Sequence, residues 1–273
     1  MNNDLFQSEY PVSDEKVQFF RENGYVRFDD VLSEEELEVA RAGMDKARAE
    51  RKGFARDLAG GDGGGDGMAK RDLILQMVNL WENYPEIKEY IFGGRVAKMA
   101  QRLAGGGDIH LYHDQALVKE PGPSAPSPWH QDQPYWPSKE PGMFSCWMAL
   151  DDVTIERGCM QFIPGSHKWG EYPPISFKGD GPALKDYMNE EQLAQWNPVP
   201  VELKAGSCTF HHGLTFHFTN ANTTDHIRRA LVAIFIPEGI TYAAEDKMDN
   251  QFTDTITSKK GEILRGTRFP QLA

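Results

Sequence analysis

Residues 207–236 read SCTFHHGLTFHFTNANTTDHIRRALVAIFI. Gly206-Ser207 marks a turn, Ser207 to Phe218 has the texture of a strand followed by a bend, and Ala230–Ile236 is an apolar run opened by Arg228. Runs of the same kind recur upstream, at His110–Val118, Met143–Leu150, Met160–Ile163 and Val201–Leu203, with a further start at Ser207–Phe210. Pro121, Pro123, Pro126 and Pro128 punctuate the first connection. Many short β-rich runs separated by turn residues point to a β-sandwich or barrel. One short helix interrupts them at Asn189–Trp196, with Gln192 at the capping-box position.

Before Ile109 the texture is helical. Ser13 caps a helix that passes through Val17, Phe19 and Phe20 to Asn23 and stops at Gly24. Tyr25–Phe28 alternates as a strand. Ser33 and Glu36 have the spacing of a capping box, and the helix they open runs to about Arg51 with Leu37, Ala40, Met44 and Ala47 on one face. Leu73–Trp81 and Pro85–Leu103 read as two more helices. The expected fold class is therefore mainly β with flanking helices, in one domain over 1–273. Residues 1–108 give mostly helical support, 109–240 form the β core and 241–273 are a C-terminal extension. Gly60–Gly67 is almost entirely Gly and Asp. It reads as a surface loop, the sharper alternative being a lid.

Composition narrows the functions. The formal net charge of -12 disfavours nucleic acid and anionic membranes as partners. Three cysteines, Cys146, Cys159 and Cys208, are too few and too scattered for a disulfide framework and fit a reducing cytosol. Met1–Lys16 is polar and has no signal-peptide core, and no apolar run is long enough to span a bilayer. A cytoplasmic protein acting on a small molecule is expected.

Among the eight histidines, His130 alone has an acidic residue two positions on, Asp132. On a strand, positions i and i+2 share a face, so both side chains can reach one metal. The candidates for a third ligand are His211, His212, His217 and His226. Two histidines and one carboxylate leave coordination positions open, as iron(II) requires to take a chelating cosubstrate and oxygen together. Arg228 follows His217 by eleven residues. An arginine facing inward at the head of a core strand needs an anion, and a dicarboxylate supplies one. Singly these features are common; a His-x-Asp pair occurs by chance, and a buried arginine usually pairs with an acid of its own chain.

The ordered set resembles the phytanoyl-CoA dioxygenase family of iron(II)/2-oxoglutarate oxygenases. The resemblance rests on Asn23-Gly24-Tyr25-Val26, Lys119-Glu120-Pro121-Gly122, His130-Gln131-Asp132, Trp147-Met148-Ala149-Leu150-Asp151, Gly158-Cys159-Met160, Pro164-Gly165-Ser166-His167, Gly206-Ser207, His212, His217 and the Arg228 segment, and covers roughly 12 to 240. It implies a double-stranded β-helix (a cupin-like jelly roll) with a helical N-terminal part. It implies iron held by His130, Asp132 and His217, with 2-oxoglutarate and O2 as cosubstrates and succinate and CO2 released. Arg228 matches the arginine that holds the distal carboxylate of 2-oxoglutarate, and Thr219 a hydroxyl on the same group. Trp147 and Gln115 fall at positions lining the cosubstrate pocket. His212 matches a family histidine that is not a ligand. His211 departs from the aromatic or aliphatic residue usual there and has no role assigned.

Halogenating relatives lack the carboxylate, so Asp132 favours hydroxylation of an unactivated C–H bond. Desaturation, cyclisation or demethylation at the same site are alternatives, as are a non-catalytic cupin-like binding protein and a zinc or manganese enzyme. Tyr135 and Trp136 are expected near the substrate. Trp129, Phe144 and Tyr172 are either pocket wall or core, and His167–Gln192 is a second candidate lid.

Overall fold

The computed structural model describes residues 5–59, 74–122, 124–177, 184–243 and 255–273. In chain order the elements are α1 (Asp14–Asn23), β1 (Tyr25–Phe28), α2 (Glu34–Glu50), β2 (Phe54–Asp57), β3 (Leu75–Val78), α3 (Pro85–Phe92), α4 (Arg95–Ala104), β4 (Ile109–Lys119), β5 (Ser127–His130), β6 (Phe144–Ala149), β7 (Met160–Phe162), α5 (Glu190–Ala194), β8 (Val199–Val201), β9 (Cys208–His212), β10 (His217–Thr219) and β11 (Arg228–Pro237). Seven strands form one antiparallel sheet in the order β1-β9-β6-β11-β4-β3-β2, and four form a second in the order β5-β10-β7-β8. This is the double-stranded β-helix.

Period-2 alternation assigns the faces of the large sheet. Phe144, Cys146, Met148, Phe210, Leu231, Ala233 and Phe235 point outward into a core shared with Leu37, Met44, Ile87 and Met99 of the helices. Trp147, Ala149, Ala230, Val232 and Ile234 point inward and pack with Met160 and Phe162 of the small sheet. Ser145, Gln115, Lys119, His211 and Arg228 fall on the inward parity of their strands, which places chemistry-bearing residues between the sheets.

The N-terminal part is less helical than its sequence texture suggests. β1 closes one edge of the large sheet, and β3 with β2 extends the other. Within the stretch Leu73–Trp81, expected to be a helix, Leu75–Val78 is a fully buried strand, followed by a 3-10 turn at Leu80–Glu82. Four buried residues are too few to show a period of their own, and pairing with β4 decides the matter. The buried Asp114 carboxylate then accepts from Leu80 and Trp81 N–H at 3.0 and 3.2 Å and organises the turn. Pro85–Leu103 is two helices rather than one. Gly94 breaks it with φ 89, a left-handed conformation open to glycine at little cost. The Gly60–Gly67 segment lies outside the described residues. The chain end returns to the sheet, where Ile109 and Leu111 N–H donate to Ala273 and Pro270 carbonyls at 2.9 Å each.

Glu36 does more than close the capping box on Ser33. Its carboxylate meets Arg95 through two contacts of 2.7 Å and accepts from Phe6 N–H at 2.7 Å, all buried. Removing one member of such a pair leaves the other charge buried and uncompensated. Glu36→Ala is expected to cost about 3 to 5 kcal/mol, seen as a lower urea midpoint. An unshifted midpoint would show that water replaces the contact.

Candidate metal centre

β5 and β10 pair so that His130 and His217 stand directly opposite each other. Their ring centroids are 4.1 Å apart, and each Nε2 lies 3.6 Å from Asp132 Oδ1. The three ligand atoms lie within 4.8 Å of one another, a spacing that can hold one metal ion. Backbone carbonyls set the tautomers. His130 Nδ1 faces Pro128 O at 2.7 Å and His217 Nδ1 faces Thr215 O at 2.9 Å. A carbonyl only accepts, so Nδ1 carries the hydrogen and the Nε2 lone pair is free for a metal.

Asp132 does not share a strand with His130. β5 ends at His130, and Asp132 sits in a turn before the 3-10 segment Gln133–Tyr135. The turn is tied across the site, since Asp132 and Gln133 N–H both donate to Gly213 O at 2.9 and 3.0 Å. Gly213 has no room for a side chain, because a Cβ would meet the Trp136 ring at 2.4 Å. The two-residue spacing does bring the two side chains together, but through a turn and not through a shared strand face. Burial pushes the Asp132 carboxyl up. His217 and the hydrogen bonds with His130 and His211 outweigh that and hold it well below the usual carboxylate range. Burial, with the His130 ring beside it, holds His217 well below the usual imidazole range. An ionised carboxylate facing a neutral imidazole is the protonation state that a divalent metal needs.

Asp132 Oδ2 points away from the two histidines. Ser145 Oγ donates to it at 3.3 Å, and His211 Nε2 lies at 3.3 Å. His212 faces elsewhere: its Nδ1 accepts from Leu214 N–H at 3.1 Å, and its ring meets that of His167. His226 is exposed beside Asp225 and plays no part.

A second charged feature lies between the sheets. Arg228, 1% exposed, stands directly opposite Lys119, 0% exposed, on the neighbouring strand. An arginine and a lysine facing each other without solvent oppose both being charged unless an anion joins them. Lys119 Nζ donates to Thr219 Oγ1 at 2.7 Å and to Asn220 O at 2.6 Å, contacts with neutral oxygens. Arg228 donates to Leu117 O at 3.0 Å, lies 5.4 Å from the Trp147 ring centroid, and has a buried Nε with no partner among the described residues. Burial pushes its guanidinium down to about 10, so it is still cationic at pH 7. Burial and then Arg228 hold the Lys119 amine well below its usual range. The next residue shows the ordinary outcome: Arg229 is neutralised by Asp151 at 2.8 and 3.1 Å and by Asp45 at 2.8 Å. Lys119 opens one of the segments that carry the resemblance, but its nearness to Arg228 is not legible there, because it comes from strand register. Gln115 accepts a short hydrogen bond from Gln76 on β3.

The donor set of two imidazole nitrogens and one carboxylate oxygen suits iron(II), and the incompletely satisfied guanidinium suits a dicarboxylate. The family model described as phytanoyl-CoA dioxygenase (PhyH) matches residues 20–230.

The chain belongs to the phytanoyl-CoA dioxygenase family.

It is 25% identical over 236 residues to the peroxisomal phytanoyl-CoA dioxygenase of Mus musculus, an alignment covering 81% of this chain and 67% of that one. Among solved structures it is similar to the non-heme alpha-ketoglutarate-dependent carbocyclase SnoK from nogalamycin biosynthesis, with TM-score 0.78, 28% identity and coverage of 96% and 97% of the two chains. It is also similar to the epimerase SnoN in complex with Fe3+, alpha-ketoglutarate and nogalamycin RO, with TM-score 0.75, 27% identity and coverage of 95% and 98%. This phytanoyl-CoA dioxygenase family member is an iron- and 2-oxoglutarate-dependent dioxygenase using O2, with a small molecule as substrate.

The residues expected at the substrate side divide. Trp136 is buried in the inner core against Gly213. The Tyr135 hydroxyl is held by the backbone of one residue, donating to Ile175 O at 2.7 Å and accepting from Ile175 N–H at 2.9 Å. Phe144 belongs to the outer core against the helices. Trp129 stacks on Phe218, and Tyr172 packs edge-on against Phe216, in a satellite aromatic cluster. Phe177 is not singled out by the sequence, yet its ring lies 4.8 Å from that of His130. Of the His167–Gln192 segment, residues 178–183 lie outside those described.

Proposed function

We propose that this family member hydroxylates an unactivated C–H bond of a small molecule, with His130, Asp132 and His217 as the iron ligands. Arg228, with the Thr219 hydroxyl, takes the distal carboxylate of 2-oxoglutarate. The observation that carries the reading is the pairing of a three-ligand face with a buried guanidinium that makes no ion pair among the described residues and leaves its Nε without a partner. When bound, iron and 2-oxoglutarate supply the oxidising chemistry, with succinate and CO2 as by-products. The chain's own residues do the rest. The Pro128 and Thr215 carbonyls keep the Nε2 atoms turned to the metal, and Lys119 occupies a lone pair of Thr219 so that the hydroxyl hydrogen is free for a carboxylate. Trp147 covers the guanidinium and Phe177 covers His130, both limiting water at the site.

A second reading rests on the neighbours named a carbocyclase and an epimerase. Ring closure or inversion begins, as hydroxylation does, with removal of a hydrogen from carbon. Product mass under 18O2 separates the outcomes. Hydroxylation adds one labelled oxygen, ring closure or desaturation removes two hydrogens, and inversion leaves the mass unchanged. The proposal expects the labelled oxygen. Small natural products are the first substrates to screen, because the net charge of -12 works against a CoA thioester. The cysteines Cys146, Cys159 and Cys208 are free and buried, which supports a reducing compartment such as the cytosol.

A further inference from the structure

His211 is an imidazole beside the metal triad that the proposed function leaves unused. It lies on β9 directly opposite Ser145 of β6, so both side chains rise from adjacent strands toward the same point. That point is Asp132 Oδ2, at 3.3 Å from each. The ring is 2% exposed and sits 4.6 Å from the His217 ring and 5.6 Å from Phe162. An apolar ring would fill this space at no polar cost. A buried imidazole costs free energy unless hydrogen-bonded, and the Asp132 contact is what offsets it. An ionised carboxylate only accepts, so Nε2 carries the hydrogen, and Nδ1 is the buried atom without a partner among the described residues.

We infer that His211 is a positioning residue which, with Ser145, occupies Asp132 Oδ2 and holds the carboxylate with Oδ1 alone turned to the metal. The inference rests on the metal reading above. A carboxylate held by one oxygen takes one coordination position, leaving the others for the cosubstrate and oxygen. Released from His211, the Asp132 carboxylate is held at Oδ2 by Ser145 alone, and the ligand set is less ordered. Partners of this kind typically change metal affinity about 10- to 100-fold.

The test uses Mn(II) as a redox-silent probe, with free Mn(II) followed by EPR in the presence of 2-oxoglutarate. His211→Phe keeps an aromatic ring of similar size. It is expected to weaken Mn(II) binding about tenfold or more, with the apo-protein melting temperature unchanged. His211→Gln returns an N–H donor and is expected to recover most of that loss. Ser145→Ala removes a hydroxyl alone and is expected to weaken binding by a smaller factor, which keeps the inference testable should His211→Phe not fold. Wild-type affinity in His211→Phe, or in Ser145→Ala where His211→Phe does not fold, overturns it, as does a His211→Gln no better than His211→Phe. A wild-type protein that binds no Mn(II) would instead overturn the metal reading.

Discussion

Arg228→Ala is expected to raise the apparent KM for 2-oxoglutarate at least tenfold while leaving the fold in place. Hydrogen bonds to a charged group contribute about 1.5 to 3 kcal/mol each, and the lower figure alone is about a factor of ten. The fold should survive because the native guanidinium is itself poorly satisfied. It donates to the Leu117 carbonyl, and its Nε has no partner among the described residues. Lys119 then loses a repulsive neighbour, so the apo-protein should melt no lower than wild type. Arg228→Lys is expected to recover little, since an ammonium cannot reproduce a planar two-donor contact. Initial rates across a 2-oxoglutarate series measure the effect. An unchanged KM would move the carboxylate to another cation. Arg229 is a poor substitute, being neutralised by Asp151 and Asp45.

Asp132→Ala is expected to remove product formation altogether. Two imidazoles remain, and a dication loses the anionic member of its ligand set. His211 and Ser145 lose their shared acceptor at the same time. The variant should retain the jelly roll, because the turn is held by backbone donation to Gly213 rather than by the carboxylate. A fully active variant would show that a different acid completes the site. Iron(II) with ascorbate should restore activity to stripped wild-type enzyme where zinc does not. Restoration by zinc would favour hydrolysis or isomerisation on the same ligands.

Much of this arrangement is legible in the amino-acid sequence. The short runs from Ile109 onward map onto strands because alternation and turn residues are local signals. His130 and Asp132 stand out through spacing, while His217, one of four candidate histidines, and Arg228 are singled out by the resemblance. What stays hidden depends on register and on packing. Lys119 faces Arg228, and Ser145 faces His211, only because antiparallel pairing aligns residues distant in the chain. Leu75–Val78 reads as helix in sequence and is a strand in the fold, because a short buried run carries neither period clearly. Trp136 follows Asp132 closely in sequence, yet the 3-10 segment turns its ring onto Gly213 and into the core. Phe177 reaches His130 from a loop whose course no periodicity reveals.

The most direct test of the central claim is an anaerobic titration of the metal-free protein with iron(II) and 2-oxoglutarate, followed in the visible range. The account predicts a weak metal-to-ligand charge-transfer band that saturates at one equivalent per chain and disappears in His217→Ala. Demonstrably bound iron with no band on adding 2-oxoglutarate, or a band undiminished in His217→Ala, would contradict it.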